Sequence, residues 1–110
     1  MIDFINEVET IANKYGLKIS GLDATDVTMM VRIEIVPSIF IQVYRNRKKN
    51  KLNMAMVLGN NRIYGVDSEG NILHEHPIQN PQSHLPTDYK MGVEKFVLYC
   101  LNFLQEKDLL

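Results

Sequence analysis

The histidines of this chain, His74, His76 and His84, fall within eleven residues, in Gly70-Asn71-Ile72-Leu73-His74-Glu75-His76-Pro77 and the loop that follows it. Imidazoles titrate near neutral pH and suit general acid–base work. On a strand, residues two apart share a face, so His74 and His76 project together and Glu75 projects away. Three readings follow. Two imidazoles side by side in water divide the base and acid roles that metal-free cleavage of an RNA phosphodiester requires, with Arg62, Tyr64 or Lys90 stabilising the phosphorane charge. Alternatively, His-x-His is a metal-ligand spacing that His84 or Asp67 would complete. In the third reading the histidines are satisfied rim residues and His76-Pro77 simply ends a strand.

A second cluster is Arg45-Asn46-Arg47-Lys48-Lys49-Asn50-Lys51, five positive charges in seven residues, with Tyr44 just before it. A basic loop beside an aromatic ring grips phosphates and stacks a base. Tyr44, Arg45, Arg47, Lys48, Lys49 and Lys51 are therefore the candidate nucleic-acid contacts. The competing reading is a solvated hairpin tip, or a patch for an acidic protein partner.

The elements that must position these groups are legible in the hydrophobic spacing. Phe4, Ile5, Val8, Ile11, Ala12 and Tyr15 recur at three and four, predicting a helix over residues 3–15 capped by Asp3 and stopped by Gly16. Residues 27–36 alternate with period two, Met29, Val31, Ile33 and Ile35 against Met30, Arg32 and Glu34, which predicts a strand. Further strands are predicted over 39–45, 52–58, 62–67 and 72–76. Pro37-Ser38, the basic stretch, Gly59-Asn60-Asn61 and Ser68-Glu69-Gly70-Asn71 are the turns between them. If 68–71 forms a two- or four-residue turn, Gly65 faces His74, Ile63 faces His76 and Asp67 faces Ile72. The histidine side then carries Asp67, and the opposite side carries Arg62, Tyr64 and Val66. Pro77, Pro81 and Pro86 mark a crossing loop. A last helix follows from a Thr87 or Asp88 cap to about residue 107, with Gly92 inside it and Val93, Phe96, Val97, Cys100 and Leu104 as its apolar stripe. Short turns imply antiparallel neighbours, so the expected fold is α+β, a five-stranded antiparallel meander flanked by an N-terminal and a C-terminal helix.

Composition bounds the function classes. The chain has 110 residues with 45% apolar and 23% charged side chains, a single globular domain's worth. A net charge of −1 excludes a wholly basic nucleic-acid binder but not a local patch. The lone Cys100 excludes an internal disulfide framework and fits a reducing, cytoplasmic setting. No signal peptide or membrane segment is visible, and no phosphate-binding glycine loop, nucleophile elbow, CxxC or HExxH. No cofactor is called for. Met30, on the wetter face of its strand, predicts that part of that face is covered by a helix or a second subunit, hence a homodimer as an expected partner.

The run Gly59-Asn60-Asn61-Arg62-Ile63-Tyr64-Gly65-Val66-Asp67, then His74-Glu75-His76-Pro77, then Asn80-Pro81-Gln82-Ser83-His84, resembles a group of small prokaryotic proteins, many of them archaeal. These carry a histidine–any residue–histidine–proline box followed by a proline…histidine loop. The arrangement is similar, more distantly, to TumE-type toxins of toxin–antitoxin pairs. That resemblance implies a small RNA-targeting, ribonuclease-like domain with an antitoxin-like protein partner, and Arg62, Asp67, His74 and His76 as the residues carried over. Val66-Asp67-Ser68 stands where the toxins have Tyr-Asp-Asn. The expectation is thus a toxin-like protein that binds or cleaves RNA; the alternative is a non-catalytic interaction module.

Overall fold

A computed structural model describes residues 1–87 and 90–110. The element order is α1 (Ile2–Lys14), β1 (Lys18–Ala24), β2 (Thr28–Val36), β3 (Ile39–Asn46), β4 (Lys51–Leu58), β5 (Asn61–Glu69), β6 (Ile72–His76), β7 (Leu85–Pro86) and α2 (Val93–Glu106). The strands form one antiparallel sheet in sequence order, β1 to β7. The fold is α+β with an N- and a C-terminal helix, and the sheet has seven strands rather than five.

The two extra strands are the edges. β1 lies in Lys18-Ile19-Ser20-Gly21-Leu22-Asp23-Ala24, almost wholly exposed and without period-two alternation. Its register with β2 shifts between Ile19 and Gly21. β7 is two residues long and ends in a proline. An edge strand buries little, so neither leaves the hydrophobic signature from which strands are read.

Both helices lie on one face of the sheet. Val8, Ile11 and Ala12 of α1 and Val93, Phe96, Val97, Cys100 and Leu104 of α2 close over Met29, Val31, Ile33, Ile41, Val43, Met54, Met56, Tyr64 and Val66. Strands β2 to β5 supply this layer with alternate residues, the pattern of a sheet packed on one side. Tyr64 stacks on Phe96 and Tyr99, at centroid separations of 5.6 and 4.6 Å. Cys100 is sealed in this layer, and burial pushes its thiol pKa up. At the helix ends, the carboxylate of Glu94 on α2 accepts from Lys14 Nζ at 2.7 Å and from the Tyr15 hydroxyl, tying α1 to α2.

Three local expectations are corrected. α1 starts from Met1 without a side-chain cap, so Asp3 lies in the first turn instead of capping it. α2 begins at Val93 with Gly92, in extended conformation, as its N-cap. Thr87 therefore lies upstream of the helix, and the suggested Asp88 cap falls outside the described residues. Finally, β5 runs on to Glu69 and the β5–β6 turn is the pair Gly70-Asn71, with Gly70 at φ +60°. This slides the pairing by two residues: Asp67 faces His74 and Gly65 faces His76. A slip of two keeps every side chain on its face, so Gly65, Asp67 and the histidines share a side as expected.

Candidate functional site

The face opposite the helices is built from cross-strand rows. One row runs Met30, Tyr44, Asn53, Asp67, His74 over β2 to β6. The next runs Arg32, Gln42, Ala55, Gly65, His76. A third begins Glu34, Phe40, Val57 and ends at Arg62. Arg62 reaches this face through a bulge: between the Met56–Tyr64 and Val57–Arg62 pairs, β5 carries one extra residue, Ile63. Strict alternation assigns Arg62 to the helix side with Tyr64, and the bulge reverses that. Tyr64, by contrast, is buried under α2, away from the histidines. Lys90 is exposed in the segment before α2.

The imidazoles occupy three different environments. His76 has no exposed surface. Its Nε2 lies 2.9 Å from Asp67 Oδ2 and its Nδ1 lies 3.2 Å from the Pro81 carbonyl. Both neighbours are acceptors, so the ring fills both contacts only when both nitrogens carry hydrogen. Arg62 Nη2 donates to the same Pro81 oxygen at 3.2 Å, and the 77–86 loop is thereby strapped down over the sheet. Gly65 makes room for this arrangement. A Cβ there would stand 3.4 Å from His76 Cδ2, 3.4 Å from Arg62 Cδ and 3.2 Å from the Met54 carbonyl. His84 comes back on the strap, its ring edge-on to His76 at 4.2 Å and to His74 at 6.1 Å. His74 is half-buried and, with His84, lines an open notch of about 300 Å³ that also touches Lys51, Asn53, Asp67 and Ile72. His74 and His76 thus share a face, but only His74 reaches water. Among the described residues, no three His, Cys, Asp or Glu side chains are grouped to hold a metal ion.

Asp67 links two depressions. Besides the histidine notch it lines a second, of about 220 Å³, with Gln42, Tyr44, Asn53, Ala55 and Arg62. The small residues Ala55 and Gly65, paired across β4 and β5, leave a low floor between the flanking rows. A third depression, of about 520 Å³, continues past Arg62 to Arg32, Phe40, Val57 and Gln82. The Arg32 guanidinium lies 4.1 Å from the Phe40 ring centroid, a cation–π contact. Asn53 Oδ1 is buried without a hydrogen-bond partner among the described residues, a loss of about 1–3 kcal/mol unless a donor is supplied.

The β3–β4 loop is the basic tip. Asn46 is nearly buried, and its Oδ1 accepts from the backbone N–H of Lys48 and Lys49, both at 3.1 Å. Asn50 takes φ +50°, a conformation that asparagine tolerates, and closes the turn. This holds Arg47, Lys48 and Lys49 out in solvent beyond Tyr44. Arg45 turns to the helix side, 5.9 Å from the Phe4 ring, and its Nη1 donates to Asn50 Oδ1 at 3.4 Å and to the Lys51 carbonyl at 3.3 Å at the base of the tip. Lys51 lies 3.8 Å from Glu69 on the neighbouring strand.

No family model, curated protein or solved structure matches the chain. No helix of the described residues is long and apolar enough to cross a membrane.

Proposed function

We propose that the chain binds single-stranded RNA along the sheet face that the helices leave uncovered. One observation carries this reading. Phe40, Gln42 and Tyr44 stand half-exposed at successive outward positions of β3, a central strand, with Arg32 and Arg62 at one end and the Arg47–Lys49 tip at the other. At 3.4 Å per residue, Phe40 to Arg47 is a track about 24 Å long. Rings that stack bases and cations that meet phosphates are what a single strand needs. The histidines enter this reading through Asp67: His76 is closed to water and holds the carboxylate. Proton exchange between both imidazoles and a substrate would first require the strap to lift. The reading is therefore one of binding, with cleavage left outside it.

Fluorescence anisotropy of a labelled uridine octamer and of a duplex of equal length tests it. The single strand is expected to bind, the duplex to bind less well, and log K to fall with log salt by about 0.7 per phosphate neutralised. Lys48→Glu with Lys49→Glu weakens binding and flattens that slope, and Tyr44→Ala costs about 1–3 kcal/mol of lost stacking. Equal affinity for strand and duplex, or no binding at low salt, refutes it.

A further inference from the structure

We infer that the notch between Asp67 and Arg62 is a subsite for one guanine base of the bound strand. This rests on the RNA reading and adds sequence preference to it. The walls of the notch are chemically unlike. On one side stands an acceptor, the Asp67 carboxylate, 27% exposed, and directly across the strand pair is Asn53, whose buried Oδ1 has no hydrogen-bond partner among the described residues. On the other stand donors: the Arg62 guanidinium and the Gln42 amide. Ala55 lies in the row between those of Asp67 and Arg62 and leaves space for a flat group, and the Tyr44 ring stands in the Asp67 row beyond Asn53. Guanine is the base that offers adjacent N1–H and N2 amine donors on one edge and the O6 and N7 acceptors on the next. Uracil sets two carbonyls against the acidic wall, and adenine has one amine and no N–H beside it.

The carboxylate is not free to wander. Asp67 Oδ2 is held by the fully buried His76 ring, itself held by the Pro81 carbonyl. This leaves the other carboxylate oxygen to accept from a ligand. Arg62 is likewise fixed by giving one of its five N–H groups to Pro81. Acceptor and donor walls are thus anchored to a single carbonyl on the strap, and the spacing between them is set before any base arrives. His76 is on this account a positioning residue.

The test uses uridine octamers carrying one central guanosine or one inosine, which differs only by lacking the N2 amine. The intact protein is expected to bind the guanosine octamer at least about fivefold more tightly than the inosine octamer, the low end for a base-edge contact. Asp67→Asn, checked for folding by its thermal transition, is expected to reduce that ratio to about one. The wild-type comparison decides the matter even if that variant does not fold. Equal binding of guanosine and inosine octamers while plain uridine octamer still binds overturns the subsite and leaves the RNA reading standing. Failure of every octamer to bind overturns both.

Discussion

Replacing His76 by alanine tests whether the strap is held as the geometry indicates. The substitution removes a hydrogen bond to a carboxylate, worth about 1.5–3 kcal/mol, and one to a backbone carbonyl, worth about 1 kcal/mol. It also empties the volume of a ring with no exposed surface, which adds a cavity cost. Two features lessen the loss. Asp67 is 27% exposed and rehydrates, and Pro81 retains Arg62 as a donor. The net expectation is a loss of about 3–4 kcal/mol, a large part of the stability of a domain this size. Urea unfolding measures it directly, and the thermal midpoint should fall by roughly 4 °C per kcal/mol. A double-mutant cycle with Asp67→Asn isolates the pair and should give a coupling of about 1–2 kcal/mol. A loss under about 1 kcal/mol together with additivity would show that His76 is an ordinary strand-end residue.

Two further outcomes follow from the same geometry. Gly65→Ala places a methyl group within 3.2–3.4 Å of three fixed neighbours, two of them Arg62 and His76, and should cost about 1–3 kcal/mol by overpacking; His76 and Asp67 NMR shifts that remain unchanged would contradict it. Hydrogen bonds from Lys14 and then Tyr15 hold the Glu94 carboxyl below its ordinary value of 4.5, so the unfolded chain takes up this proton first as acid is added. The Glu94 contribution is complete above that ordinary value and disappears as pH falls through the lower folded one; thermal midpoints from pH 3 to 7 should therefore fall less steeply in Glu94→Gln.

The helices and the inner strands were legible because their burial is periodic. Phe4 to Tyr15 and Val93 to Leu104 show helical spacing, and Met29, Val31 and Ile33 or Met54 and Met56 show strand spacing. What escaped was aperiodic. β1 is exposed on nearly every residue, and β7 pairs only through Leu85 and Pro86. The bulge that turns Arg62 onto the histidine face inserts Ile63 into the alternation, and no residue type announces it. Gly65 faces a histidine as expected, but that histidine is His76 rather than His74, with His76 and Arg62 drawn close over the missing side chain. The burial of His76 was not readable, because it depends on a proline-rich loop folding back to set the Pro81 carbonyl, five residues on, against the ring. Asn53, Gln42 and Phe40 carried no motif. Their shared notch and ridge exist only once β3, β4 and β5 are in register.

The sheet ends differently on its two sides, with a seven-residue, largely exposed strand at β1 and a two-residue stub closed by Pro86 at the other. A growing fibre needs both rims, one to offer hydrogen bonds and the other to receive them. Among the described residues the strand-length free rim is β1 alone, so the backbone groups open to pairing lie on that side of the sheet.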